Sequence, residues 1–113
     1  MNYNAKIVRV VDGDTVDADI FLGFDITMRQ RLRLYGVNAP ETRSRDPVEK
    51  ARGLKAKEFL VDALKVCNNE VIINVHGSGK FGRPLVEIYI SDVNLNDQLV
   101  FHGHAVAYFG GKR

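Results

Sequence analysis

The 113-residue sequence contains a single cysteine, Cys67, so it can form neither an internal disulfide nor a cysteine-based zinc site. It has no apolar run close to the roughly 18 residues that a membrane-spanning helix needs. Residues 1–6 lack the basic and then apolar pattern that begins a secretion signal. The length predicts one globular domain over residues 1–113. The single cysteine and the missing secretion signal predict a reducing, cytoplasmic compartment. No membrane partner is expected.

The net charge of +2 is too small to indicate a nucleic-acid partner by itself, but the charge is unevenly distributed along the chain. Residues 1–28 contain two basic and five acidic residues, whereas residues 29–57 contain nine basic and three acidic ones. An uneven solvated surface explains this distribution, and so does a cation site next to a phosphate-binding face. The charge pattern alone leaves both interpretations open.

Three consecutive strands are predicted, the first over residues 3–11 from its apolar, β-branched composition. The other two, over 15–22 and 24–35, are predicted from the alternation of apolar and polar residues. In the third strand, successive side chains point to opposite faces, which predicts that its arginines face outward and its apolar residues face the core. The outward set is Arg29, Arg31 and Arg33, and the inward set is Phe24, Ile26, Met28, Leu32 and Leu34.

A helix start is predicted at Asp46 and Pro47, with Asp46 as the N-cap and Glu49 completing a box-like cap. Apolar residues spaced by three and four extend this helix to about Cys67. The elements predicted after it are strands over 70–76 and 83–90, a short helix over 96–102 and a short strand over 105–109. This order predicts a mainly β protein with helices (α+β), an OB-fold five-stranded Greek-key barrel with one long helix between strands three and four and a short helix near the C-terminus.

The DGDT segment at 12–15 is typical of a hairpin turn. A turn does not require the second carboxylate, Asp14, which is a suitable hard oxygen ligand for Ca²⁺ or Mg²⁺. An EF-hand is excluded, because the sixth position from Asp12 is Asp17 instead of glycine and the twelfth is Gly23 instead of glutamate.

The RLYGVNAPET segment at 33–42 brings an arginine, an amide and a carboxylate together within nine residues. Hydrolysis of a phosphodiester uses such groups, a guanidinium for the phosphoryl oxygens and a carboxylate for the attacking water. A surface salt bridge between Arg33 and Glu41 explains the same residues. The KFGR segment at 80–83 adds an arginine behind a glycine-rich loop, with a plain hairpin tip as the alternative, and the spacing of a P-loop is not met.

Taken together, these segments resemble the staphylococcal nuclease (thermonuclease) family. The matching blocks are VVDGDTV at 10–16, RLYGVNAPET at 33–42, KFGR at 80–83 and the ending NDQLVFHGHAVAYFGG at 96–111. The resemblance implies an OB-fold barrel and a Ca²⁺-dependent endonuclease that acts on DNA and RNA, cleaving the P–O5′ bond and leaving 3′-phosphates.

The resemblance also implies a role for each matching position. The implied catalytic residues are Arg33, Glu41 and Arg83. The implied ligands of one Ca²⁺ ion are Asp14, Asn38, the backbone carbonyl of Ala39 and, through water, Glu41. The implied substrate-binding residues are Lys80, Phe81, Tyr108 and Arg31.

Two departures from the family pattern concern this site. Asn38 stands where the family has a second carboxylate ligand, which removes one negative charge and is expected to weaken metal binding. Phe81 stands where founding members have a tyrosine, so one phosphate contact is expected to be missing. We therefore expect a nuclease of altered metal affinity, and the alternative is a non-catalytic OB-fold module of the same family that binds nucleic acid or protein.

Overall fold

The computed structural model describes residues 1–109 and forms eight strands and two α-helices in that range. The elements are β1 Asn2–Asp12, β2 Thr15–Gly23, β3 Ile26–Leu34, β4 Val37–Asn38, α1 Pro47–Lys65, β5 Glu70–Ser78, β6 Pro84–Ile90, β7 Val93–Asn94, α2 Leu95–Phe101 and β8 Val106–Ala107. Neither α1 nor α2 is long and apolar enough to cross a membrane.

The five long strands close into a barrel, which confirms the predicted OB-type architecture. Their order is β3-β2-β1-β5-β6, with antiparallel neighbours throughout. The barrel closes where β3 and β6 pair in parallel, Arg33 beside Leu85 and Leu34 beside Val86. Helix α1 lies between the third and fourth long strands, as predicted, and the short strands β4 and β8 pair with each other.

The core consists of alternate residues of the barrel strands and one side of each helix. Fully buried members are Val16, Ala18, Leu32, Leu34, Ile73, Val86 and Ile88 from the strands, with Ala56, Leu60, Leu64 and Leu99 from the helices. The buried amide of Asn96 in α2 joins these layers, since its Nδ2 donates to the carbonyls of Tyr35 and Val86 while its Oδ1 accepts from the N–H of Ile88. Asn96 thereby holds the end of β3 against β6.

The tip of the β2–β3 hairpin lies outside the core, and the predicted inward orientation of three residues there is wrong. Phe24, Ile26 and Met28 are 97%, 55% and 42% exposed, although Leu32 and Leu34 are buried as expected. The other edge of β3 pairs with β6 only at its last two residues. From these two residues back to the hairpin tip, the side chains of β3 still alternate between two faces. Within residues 1–109, however, no second layer covers the face on which Ile26 and Met28 lie.

The start of α1 also differs in detail from the prediction. Asp46 is the N-cap and its carboxylate accepts from the N–H of Val48, but Glu49 does not reach back to Asp46. The hydroxyl of Ser44 accepts from the N–H of Asp46 and donates to the carboxylate of Glu49, so a serine before the helix replaces the direct contact. The helix ends at Lys65, two residues earlier than expected.

Candidate active site

A largely buried ion pair at the base of the β2–β3 hairpin forms the centre of the site. The strand register places Thr15 opposite Arg33, and the Nη1 of Arg33 lies 2.8 Å from the Oδ2 of Asp14. The Nη2 of Arg33 donates to the Oδ1 of Asn38 at 3.3 Å. The structure thus brings together three of the predicted site residues. It also corrects the alternative salt bridge, because Arg33 pairs with Asp14 and not with Glu41 within residues 1–109.

The loop that carries Glu41 is held by both aspartates of the turn between β1 and β2. The N–H of Ala39 donates to the Oδ2 of Asp14 at 2.8 Å. Three residues later, the N–H and hydroxyl of Thr42 donate to one carboxylate oxygen of Asp12 at 3.3 and 2.6 Å. Sequence reasoning missed Asp12 and Thr42, because the Asp-Gly turn explains Asp12 by itself and its contact with Thr42 joins residues that are 30 positions apart in the chain.

Helix α1 supports the same loop through residues without bulky side chains. A Cβ atom on Gly53 would lie 2.7 Å from the carbonyl carbon and oxygen of Glu41, so the helix packs directly on the loop backbone. A Cβ atom on Gly13 would lie 2.6 Å from the Cβ of Ala56, so the turn packs equally closely on the helix. The backbone of Glu41 is therefore held from two sides while its residue remains exposed to solvent. A carboxylate in this position has access to water.

Closure of the barrel brings the second candidate arginine to the same region. Arg83 directly precedes β6, in which Leu85 lies beside Arg33. Its guanidinium carbon lies 5.6 Å from the centre of the Phe81 ring, and none of the ion pairs within residues 1–109 includes it. Phe81 is 89% exposed at the middle of a short 3-10 turn, Lys80–Gly82. The side chain of Lys80 lies outside the part that the structure describes.

The other arginines of β3 are engaged by aspartates of β2. Arg31 makes a two-pronged contact with Asp17, at 2.8 and 3.1 Å, and Arg29 makes the same contact with Asp19, at 2.8 and 3.0 Å. Hydrogen bonds from these guanidinium groups lower the pKa of Asp17 and of Asp19, and the carboxylates raise the pKa of both arginines. Arg31 is therefore part of an ion pair of the hairpin and does not point a free cation at the site.

These pairs correct the interpretation of the charge pattern. The acidic segment and the first part of the basic segment are neighbouring strands of one hairpin, and their charges face each other across it. Ion pairs across β2 and β3 therefore explain much of the uneven charge, and a cation site next to a phosphate-binding face stays a prediction.

The atoms around Asp14 that could bind a cation are oxygens, which hard cations prefer, but together they carry little negative charge. Asp14, the amide of Asn38 and the carbonyl of Ala39 are all oxygen donors, the type that Ca²⁺ prefers. The Oδ2 of Asp14 already accepts from Ala39 and Arg33, and its Oδ1 accepts from the hydroxyl of Thr15, so one acceptor site on Oδ1 remains. Within residues 1–109 no group of three His, Cys, Asp or Glu side chains lies together. The residues fit a weakly held cation.

Aromatic residues line the neighbouring β4–β8 side of the barrel. The N–H of the half-buried Tyr108 donates to the carbonyl of Gly36 at 2.9 Å, which places this predicted substrate residue next to β4. The ring of Tyr35 stacks on His76 with centroids 4.1 Å apart, and Phe109 meets Tyr35 edge-on at 5.6 Å. The stack was not predicted, because Tyr35 and His76 meet only when β3 and β5 take their places in the barrel.

Comparison of the sequence with known proteins finds one matching family and two relatives of similar sequence. The sequence model of the family described as "Staphylococcal nuclease homologue" matches residues 31–113. An uncharacterized protein of Methanocaldococcus jannaschii is 33% identical over 131 residues, covering 95% of this chain and 60% of that protein. The protein named Thermonuclease of Staphylococcus hyicus is 28% identical over 104 residues, covering 92% of this chain and 59% of that protein. The chain thus spans about 60% of the length of these two relatives.

Proposed function

The chain belongs to the family of staphylococcal nuclease homologues, and we propose that it is a Ca²⁺-dependent nuclease that hydrolyses DNA and RNA with little sequence specificity. The observation that carries this proposal is the contact between Asp14, Arg33 and Asn38, held beside a loop that presents Glu41 to solvent. In the proposed cleavage the oxygen of a water molecule bonds to phosphorus as the P–O5′ bond breaks, which leaves a 3′-phosphate on one fragment and a 5′-hydroxyl on the other.

Each proposed catalytic residue has a role that follows from its chemistry and surroundings. Glu41 accepts a proton from the attacking water, for which its exposure and its firmly held backbone are suited. Arg33 and Arg83 donate hydrogen bonds to the phosphoryl oxygens as negative charge develops there. Arg33 is held in place by Asp14 and Asn38, so it needs little reorganisation when the substrate binds.

The residues that would hold Ca²⁺ are Asp14, Asn38 and the backbone carbonyl of Ala39, with Glu41 acting through water. When bound, the cation supplies positive charge that polarises the phosphoryl oxygen. Lys80, Phe81 and Tyr108 are the proposed contacts to the substrate phosphate and nucleotide. No segment of the sequence carries a recognisable motif for reading base edges, which supports low sequence specificity.

The proposal is tested by incubating plasmid DNA and RNA with the protein in Ca²⁺, in Mg²⁺ and in chelator. Glu41→Gln should lower the cleavage rate by about 10²–10⁴-fold, because the base is lost while the shape is kept. Glu58→Gln, the same change at an exposed position of α1, is the matched control and should leave the rate unchanged. Cleavage at an unchanged rate in the Glu41→Gln protein would be due to a contaminant and would contradict the assignment.

A non-catalytic module that binds nucleic acid is the second candidate, and one observation favours it. The only carboxylate among the three direct donors is Asp14, which is already paired with Arg33. If the unchanged protein binds nucleic acid but cleaves none in any of the three conditions, this second candidate is correct.

The role of Asn38 has its own test. Asn38→Asp adds one negative charge to the oxygen donors and should lower the Ca²⁺ concentration for half-maximal cleavage. The measurement is a titration of activity with Ca²⁺, with Asn4→Asp, the same substitution at an exposed position of β1, as the control. An unchanged or higher Ca²⁺ requirement would show that Asn38 does not contact the ion.

A further inference from the structure

Six basic residues without an ion pair lie close together in sequence, on the segment formed by the loop before α1 and the first half of α1, residues 43–57. Its basic residues are Arg43, Arg45, Lys50, Arg52, Lys55 and Lys57, and none of them is in an ion pair within residues 1–109. By contrast, Arg29, Arg31 and Arg33 of β3 are each paired with an aspartate. Most of the positive charge without a carboxylate partner within residues 1–109 is therefore on residues 43–57, and β3 contributes none of it.

Part of this segment borders an open cleft of about 550 Å³ that also contains Glu41. Arg52 and Lys55 line the cleft from α1, and because they are three residues apart on a helix they are neighbours on its surface. Two further acids line it, but both are engaged at the start of the helix, Asp46 with the N–H of Val48 and Glu49 with the hydroxyl of Ser44.

Another part of the lining of the cleft comes from the turn between α2 and β8. His102 and His104 line it, and their rings pack on Phe59 with centroids 5.3 and 4.7 Å away. Aromatic rings at the side of a cationic groove are the usual surroundings of a single nucleic-acid strand, since bases stack on the rings while phosphates meet the cations. The cleft has both kinds of group.

We propose that this cleft is a further binding subsite for a single nucleic-acid strand, in which Arg52 and Lys55 contact the phosphates next to the one positioned at Glu41. The proposal rests on the proposed function, because it takes Glu41 as the point where the strand is cut. It assigns strand binding to residues outside the Asp14–Arg33 centre, and it makes the affinity depend on the length of the strand.

The test measures binding of a labelled dinucleotide and a labelled dodecanucleotide, both single-stranded DNA, over a range of salt concentrations. All proteins carry Glu41→Gln, so that the strand is not cut. Adding Arg52→Gln and Lys55→Gln should weaken binding of the dodecanucleotide several-fold and leave the dinucleotide unchanged. The slope of log Kd against log salt should fall by roughly 1.4, about 0.7 for each lost phosphate contact.

The matched control is the double variant Lys6→Gln and Arg9→Gln, which removes the same charge from two exposed basic residues of β1 that form no ion pair within residues 1–109, and it should leave the salt slope unchanged. The charge-conserving pair Arg52→Lys and Lys55→Arg should keep the parent affinity, and circular dichroism confirms that each variant is folded. If adding Arg52→Gln and Lys55→Gln leaves the affinity for the dodecanucleotide unchanged, the proposed subsite does not exist, and the proposal that the protein is a nuclease is not affected. If the parent binds neither strand, both the proposed function and the subsite are wrong.

Discussion

The β2–β3 hairpin and residues 43–57 are both rich in charged residues, yet their charges are arranged in opposite ways. In the hairpin, three aspartates and three arginines face each other across neighbouring strands and form three ion pairs. In residues 43–57 the six basic residues have no such partner among the described residues. The number of charges in a segment therefore does not tell how many of them can bind a ligand.

The hairpin itself contains a second contrast, between its base and its tip. At the base, the side chains of Asp14 and Arg33 are only 10% and 21% exposed and hold the candidate site. Further along, the side chain of Arg31 is 40% exposed and that of Arg29 is 64% exposed. Exposed pairs contribute little to stability, whereas breaking a buried pair leaves a charge without a partner. An aspartate–arginine pair is therefore expected to matter for stability at the base of the hairpin and to contribute little to stability near its tip.

The largest effect is expected from breaking the pair at the base. Asp14→Asn should lower the free energy of unfolding by about 3 kcal/mol, because the largely buried guanidinium of Arg33 loses its counter-charge. Urea denaturation followed by circular dichroism measures the change. Asp17→Asn, the identical substitution at an exposed pair, should cost less than about 1 kcal/mol. Equal losses in the two variants would contradict the distinction between base and tip.

A smaller effect is expected from α1, which supports the site without using charge. Gly53→Ala should destabilise the protein by about 1–3 kcal/mol, because the added Cβ would lie 2.7 Å from the backbone of Glu41. Alanine favours a helix over glycine by about 1 kcal/mol, so a loss in stability would show that the contact outweighs helix propensity. Thermal unfolding provides the measurement, with Glu58→Ala on the exposed side of α1 as the control. A stabilised Gly53→Ala protein would mean that helix and loop do not pack closely.

The smallest effect is expected at the exposed pairs, and it should depend on pH. Near neutral pH, Arg31→Gln should cost less stability than either of the changes above, because the pair is exposed to solvent. Arg31 lowers the pKa of Asp17 below its ordinary value of 3.8 in the folded state, so the stabilisation is present above that pH and is lost as the pH falls through the folded pKa.

The stability difference between the parent and the Arg31→Gln variant should therefore shrink when the pH is lowered from neutral to below 3.8. Denaturation by urea at several pH values checks this. A difference that stays constant with pH would show that the pair with Asp17 is not the cause. High salt should reduce the difference as well, because the groups are exposed to solvent.

The elements of the fold were largely predictable from local patterns. Apolar, β-branched residues identified β1, and alternation identified β2 and β3. The Asp46 and Pro47 pair marked the start of α1, and the order of elements indicated the barrel. The short strands β4 and β7 were not predicted, since two-residue strands are too short to show a period. The orientation of Phe24 was predicted wrongly, because alternation identifies a face of a strand but not whether another layer covers it.

The candidate site was predictable in its residue types but not in its contacts. The segments at 12–15 and 33–42 pointed to Asp14, Arg33, Asn38 and Glu41, and the first three of these are in contact. That Arg33 pairs with Asp14 follows from the register of β2 and β3, which the sequence does not display. The support of Glu41 by Gly53 follows from the packing of α1 on a loop twelve residues earlier in the chain.

The sequence by itself determined the strands, the helices, their order and the identity of the groups that can do chemistry, because these depend on periodicity and on motifs within a few residues. The tertiary structure alone decided which of the charges are neutralised, which apolar residues remain exposed and where Glu41 is held. These properties depend on distances between segments far apart in the chain, and Coulomb interactions and close packing act through such distances. The net charge of +2 therefore does not show two features of the charge distribution. Three ion pairs neutralise charges of the hairpin, and six basic residues on residues 43–57 form no ion pair within residues 1–109.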